Sequence, residues 1–238
     1  QVQALVIGGG PAGLMAAEAL ATQGHRVVVA EAMPTPARKF LMAGKSGLNL
    51  TKAEGLADFT AHYGGSAPVL RTPPGYLDKK ELGPDEVMAW AEGLGIALFT
   101  GSTGRVFPVG MKASPLLRAW LARLSELGVD LRTRWRWEGF QGDGWLFRTP
   151  AGPQVLRPGA VVLALGGASW PRLGSDAAWV PWLSARGVGI APFRQANMGF
   201  RVGWSPAMAR HFGQAVKGVA LSAGSLSSRG EWVVTAQG

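Results

Sequence analysis

A chain of 238 residues with no cysteine and three histidines holds no disulfide, cysteine-based zinc site, iron–sulfur cluster or thiol catalyst. His25, His62 and His211 lie far apart, which disfavours a histidine metal site, and no run of about 18 apolar residues predicts a membrane span. Lysine and arginine outnumber acids by 24 to 15, a formal net charge of +9; dispersed as these charges are, they favour a solvated basic surface around a polyanionic ligand over a dedicated nucleic-acid face. The 47% hydrophobic content suits one large domain or one plus part of another, and 35 glycines with 16 prolines suit a loop-rich α/β protein. The N-terminus enters a strand directly, which predicts no signal peptide and a cytoplasmic protein.

The first elements carry the chemistry. Leu5, Val6 and Ile7 form an apolar run that predicts a buried parallel strand broken at Gly8. Residues 11–23 have helical spacing (Leu14, Ala17, Leu20, Ala21) until Gly24 stops them. A second apolar run, 27–30, ends in the acid Glu31, with Ala32 beside it. Strand, tight turn, helix, strand and acid make the βαβ dinucleotide fingerprint. Gly8 permits the sharp turn, Gly10 lets backbone approach a pyrophosphate, and Gly13 lets helix and strand pack closely. Pro11 loses nothing at a helix start, and the free N–H groups there, with Ala12 in the first turn, face two phosphates. Glu31 follows Gly13 by eighteen residues, near the spacing of about 20 at which a carboxylate takes the ribose hydroxyls. The pattern does not choose between NAD and FAD.

Residues 33–36, Met-Pro-Thr-Pro, exclude a regular helix or an inner strand. Residues 38–51 read as a loop rich in donors and poor in bulk, with Arg38, Lys39, Gly44, Lys45, Ser46, Gly47, Asn49 and Thr51. It is not a phosphate loop of the triphosphatase kind, because Lys39 stands where Gly44-Lys45-Ser46 would need its first glycine. Residues 52–82 read as irregular, 84–94 as a helix, and 98–99 with 105–107 as a hairpin around Gly101 and Gly104. Ser114-Pro115 reads as N-cap and first residue of a helix that runs through Trp120 and Leu124 to Gly128. Period-two spacing then predicts strands at 129–140, 144–149 and 153–156, a β-meander. On the first of these, Arg132, Arg134 and Arg136 would share one face and Trp135 and Trp137 the other, a solvated face and a packed one. Val161 to Leu165 predicts a second buried parallel strand, ended by Gly166-Gly167 at the cofactor crevice. Residues 174–187 read as a helix capped by Ser175. Short apolar runs at 190–191, 199–202, 219–221 and 231–235 then read as a different, β-rich unit.

In this order the elements resemble the two-domain FAD flavoproteins, and more narrowly the bacterial flavoprotein family that includes aminoacetone oxidase. The segments that carry the resemblance are residues 8–13, 38–51, Gly104-Arg-Val-Phe-Pro108 with Met111-Lys-Ala-Ser114, and 166–174. It implies an α/β fold: a Rossmann-like, parallel-sheet FAD-binding domain with a β-meander over 1–190, and the start of an inserted β-rich domain over 191–238. Gly8, Gly10, Pro11, Ala12 and Gly13 would hold the pyrophosphate, and Glu31 and Ala32 the adenosine ribose. Arg38, Lys39, Ser46, Gly47 and Asn49 would lie along pyrophosphate, ribityl chain and flavin. Trp137 would hold adenine through its backbone, and Ala164, Gly166 and Gly167 would pass under the cofactor. Where the family's loop reads Gly-Arg-Lys, several glycines, then Arg-Cys-Asn, this chain has Ala37, Lys45, Ser46 and Leu48, which implies altered chemistry near the flavin. Members of the family continue well past this length, so the chain reads as a fragment.

The function implied is a FAD-dependent oxidoreductase acting on a small-molecule substrate, with Lys39, Lys45 or a backbone N–H stabilising the reduced flavin anion. No catalytic acid or base stands out. No second G-x-G-x-x-G follows Glu31, which favours oxygen or transiently docked NAD(P)H as the redox partner. The alternatives are a basic flavoprotein acting on tRNA, disfavoured because related tRNA modifiers are cysteine-dependent, and an NAD-dependent dehydrogenase.

Overall fold

The computed structural model describes residues 2–45, 47–64, 82–194 and 199–237, and its contacts divide into two units, Gln1–Ala191 and Pro192–Gly238. In the first unit, β1 (Ala4–Ile7), α1 (Pro11–Thr22) and β2 (Val27–Glu31) form the βαβ fingerprint. Next come α2 (Arg38–Ala43), β3 (Thr51–Lys52), α3 (Leu56–Ala61), α4 (Pro84–Gly93), β4 (Leu98–Thr100) and β5 (Arg105–Pro108). After α5 (Ala113–Glu126) follow β6 (Asp130–Thr133), β7 (Arg136–Gln141), β8 (Gly144–Thr149), β9 (Gly152–Leu156), β10 (Ala160–Leu163) and α6 (Val180–Ser184). The second unit contains β11 (Ala215–Ala223) and β12 (Leu226–Val233), an antiparallel pair. No described helix is long and apolar enough to cross a membrane.

Strand alternation builds the first unit in three layers. The parallel sheet runs β10-β1-β2-β6. Ala4, Val6, Val27 and Val29 face one side, where they join Leu14 and Ala17 of α1, Ala91 of α4 and Leu116, Trp120 and Leu124 of α5. Leu5, Ile7, Val28 and Ala30 face the other, against Trp137 and Phe147 of the β7-β8-β9 meander. A strand apolar on both faces is what a sheet covered on both sides requires.

One polar group bolts the helical layer together. Glu18 of α1 accepts the indole N–H of Trp90 at 3.2 Å, the indole N–H of Trp120 at 2.6 Å and Arg123 Nη1 at 3.0 Å. Trp90 and Trp120 also meet edge to face, 4.7 Å between centroids. Glu18→Ala strands two indole donors and a guanidinium, and it is expected to lower stability by about 3 kcal/mol. Chemical denaturation reads this as a lower midpoint at an unchanged slope.

The structure corrects several expected elements. The strand expected over 129–140 is two strands, because Arg134 turns to φ +59° and the chain there donates elsewhere: Arg134 N–H to Met33 O at 3.1 Å and Trp135 N–H to Glu31 O at 2.9 Å. Arg132, Arg134 and Arg136 therefore do not share a strand face. The expected loop at 38–51 begins as α2, entered through Ala37 at φ +54°. Helix α5 starts at Ala113 with Lys112 as N-cap, so Ser114-Pro115 sit inside its first turn. Of the helix expected over 174–187, only α6 forms; Ser175 donates its hydroxyl to Gly167 O at 3.0 Å instead of capping a helix. Residues 52–64 carry the short helix α3, and the rest of the stretch expected to be irregular falls largely outside the described residues. Residues 199–202 form no strand.

Candidate functional site

A cleft of about 490 Å³ opens at the C-terminal ends of β1, β2 and β10, the place where ligands sit in open parallel sheets. Of the residues expected at a cofactor, Gly8, Gly10, Pro11, Ala12, Glu31, Ala32, Arg38, Lys39, Trp137, Ala164 and Gly166 line it. Gly13, Gly47, Asn49 and Gly167 do not, and Ser46 lies outside the described residues.

The glycines divide by what surrounds them. A Cβ on Gly13 would stand 1.8 Å from Gly8 O, and one on Gly8, at φ +109°, 2.2 Å from Ala164 O. These two glycines let α1, β1 and the end of β10 touch. A Cβ on Gly10 meets no protein atom within 4 Å, and Gly10 has ordinary extended backbone as the N-cap of α1. The space it leaves open lies in the cleft, over the first N–H groups of a helix with no acid in its first turn. That is a cradle for phosphate oxygens, so the residues fit a dinucleotide pyrophosphate. Gly47 stands at φ +141°, and a Cβ there would lie 2.7 Å from Met111 Cε.

Glu31 closes the turn. Its Oε2 accepts Gly9 N–H at 2.8 Å and its Oε1 accepts Met33 N–H at 2.7 Å. The residue is 9% exposed, and burial holds its carboxyl above the ordinary value, against the opposing pull of the two amides and of Arg38. Each carboxylate oxygen keeps lone pairs beyond its backbone partner, so ribose hydroxyls can still donate to it.

Trp137 lines the cleft, but its indole is 4% exposed, donates to Gly139 O at 2.6 Å and packs edge to face with Trp182. Its side chain is core. A second hollow, sharing Thr35, Arg38 and Leu173 with the first, carries Lys45, Lys112 and Ser114.

One wall of the cleft holds residues that the sequence does not assign to the site. Leu173 to Asp176, Trp179 and Trp182 line the cleft, together with Trp135 and Arg136. Asp176 pairs with Arg136 at 2.7 Å; although burial opposes its ionisation, that guanidinium and the Ala178 N–H hold its carboxyl below the ordinary value. The available signal is Gly174-Ser175-Asp176, a polar turn following a glycine-ended strand at the crevice.

Residues 2–231 match the family model described as the HI0933-like protein Rossmann domain. Among solved structures, THI4 of Thermovibrio ammonificans is similar at 17% identity over 79% of this chain and 64% of that one, with a TM-score of 0.51. The open conformation of a flavocytochrome c3 fumarate reductase is similar at 19% identity over 77% of this chain and 40% of that one, with a TM-score of 0.52. At such identities the likeness is one of fold. This chain spans less than two thirds of the length of either structure.

Proposed function

The chain belongs to the HI0933-like Rossmann-domain family, and from that premise we propose that it is a FAD-dependent oxidoreductase. The observation that carries the reading is the cradle: open space at Gly10 above the α1 N-terminus, with the Glu31 carboxylate fixed beside it by Gly9 and Met33. In this reading Gly10, Pro11 and Ala12 hold the pyrophosphate, Glu31 takes the adenosine ribose, and Arg38 and Lys39 neutralise phosphate charge. In the same reading Gly47, Asn49 and the hollow with Lys45 and Lys112 lie toward the flavin end. When bound, FAD supplies hydride or electron transfer at its isoalloxazine ring; the chain's residues bind it, orient it and exclude water from it. The substrate is a small molecule, as for an aminoacetone-oxidase-like flavoprotein, and oxygen or transiently docked NAD(P)H is the redox partner.

A nucleic-acid reading draws nothing from two of the three arginines at 132–136. Arg132 is bonded to Asp130 and Arg136 to Asp176, so neither is a free cation awaiting a phosphate. An absorption spectrum of the purified chain, before and after heat release of any ligand, tests the proposal. Flavin bands and a released dinucleotide are expected. A colourless chain that leaves the fluorescence of added FAD unchanged, yet melts higher with NAD, would transfer the reading to an NAD-dependent dehydrogenase.

A further inference from the structure

The segment after β10 does more than turn the chain. Its base is closed on Gly167, whose carbonyl accepts both the Ser175 hydroxyl at 3.0 Å and Ala177 N–H at 3.1 Å. From there it runs along the cleft and is tied on both sides. On the α2 side, Lys39 Nζ donates to Ser169 Oγ at 2.7 Å, and Gly174 fits so closely over Met33 that a Cβ would stand 2.9 Å from Met33 Cγ. On the meander side, Arg136 Nη2 donates to Asp176 Oδ2 at 2.7 Å, and Trp182 lies against Gly139 and edge to face with Trp137 at 4.9 Å. Lys39, Arg136, Asp176 and Trp182 all line the cleft, so each tie crosses an edge of the space a ligand would occupy.

We propose that Asp176 is a positioning residue for the bound dinucleotide: its ion pair with Arg136 latches the 167–183 segment as a strap along the cleft and governs how fast the dinucleotide leaves. The inference rests on the dinucleotide reading above. Asp176 Oδ1 also accepts Ala178 N–H at 3.1 Å, so one carboxylate fixes both the strap's own turn and its anchorage to β7. Arg136 and Asp176 are each about one-third exposed, with side chains at 32% and 30%. The pair is shielded enough to matter and wet enough to open. The apolar ties on Trp137 and Gly139 would hold the strap in register while the polar latch breaks and reforms.

The test uses the full chain loaded with FAD, with release followed by the recovery of flavin fluorescence. Asp176→Asn, and independently Arg136→Gln, are expected to speed release about three- to tenfold, the range a part-buried ion pair supports. Asp176→Glu should restore most of the slow release. Added NaCl should speed release more from the wild type than from Asp176→Asn, since the Arg38 and Lys39 contacts with phosphate are screened alike in both. Adding Arg136→Gln to Asp176→Asn should change little, because the two act through one contact. Equal release rates in wild type and Asp176→Asn, or full additivity in the double variant, would overturn the latch. Failure of the wild type to take FAD overturns the functional reading instead. The strap is then decided on the empty chain by hydrogen exchange at Ala177 and Ala178. Faster exchange there in Asp176→Asn, with β1 and β2 unchanged, supports it, and identical exchange ends it.

Discussion

Replacing Glu31 with alanine is expected to abolish FAD retention and to lower the stability of the empty chain by about 2–4 kcal/mol. The second figure comes from two orphaned donors, since a buried N–H left without its acceptor costs about 1–3 kcal/mol. Those donors are Gly9 N–H and Met33 N–H, which flank the turn that opens α1 and the exit from β2. Loss of the carboxylate therefore loosens the phosphate cradle as well as removing the ribose acceptor. Burial offsets part of this, because the ionised carboxylate is itself disfavoured there and its pKa is raised. The sign of the linkage follows. A carboxyl whose folded pKa exceeds its unfolded one keeps its proton longer in the folded state, so stability falls as pH rises from the unfolded value through the folded one. The gap in melting temperature between wild type and Glu31→Ala should narrow across that window. A constant gap would mean that burial does not govern the Glu31 proton. Glu31→Gln separates charge from shape: its amide can accept from one of the two backbone donors only, so it should keep part of the stability and little of the flavin.

The parts of this site written in local spacing are legible in the sequence itself. Leu5, Val6 and Ile7 are apolar in succession because they are covered on both faces, and the Gly8, Gly10 and Gly13 spacing encodes a turn, an opening and a contact within a few residues. The parts set by distant partners are not. Arg134 breaks a strand-like run because Met33 and Glu31, some hundred residues earlier, offer carbonyls to Arg134 and Trp135. Nothing between 129 and 140 records that offer. The strap is held by Lys39–Ser169 and Arg136–Asp176, 130 and 40 residues apart in sequence, so its latter part, from 174, reads as an ordinary helix. Ala37 shows a third kind of difficulty. It adopts a left-handed φ of +54° where the resemblance leads one to expect glycine; the Ala37 N–H bond to Gly9 O at 2.8 Å helps hold it there. In sequence that position reads only as a departure.

Gly13→Ala and Gly10→Ala make a matched pair whose outcomes should diverge widely. At Gly13 the added methyl would sit 1.8 Å from Gly8 O and 3.2 Å from Ala164 Cβ. The obstacle is backbone at the junction of β1, α1 and the end of β10, and backbone cannot swing aside as a side chain can. The sheet and its first helix would have to part, so about 3 kcal/mol or more is expected, at the upper end of overpacking effects. At Gly10 the same methyl meets nothing, and its φ of −80° suits alanine as well as glycine. Stability should stay within about 1 kcal/mol, the loss of an N-cap residue at most. The methyl would, however, stand in the opening above the α1 N–H groups, where phosphate oxygens need direct approach. Thermal melts of both variants without ligand, followed by FAD titration of whichever folds, read the two effects separately. Gly13→Ala should melt early, whereas Gly10→Ala should melt as the wild type does and bind FAD at least about tenfold more weakly, a difference of about 1.4 kcal/mol. A Gly10→Ala chain that binds as tightly as the wild type would move the pyrophosphate off the α1 N-terminus, and the reading of the cleft would have to be rebuilt around Arg38, Lys39 and Lys112.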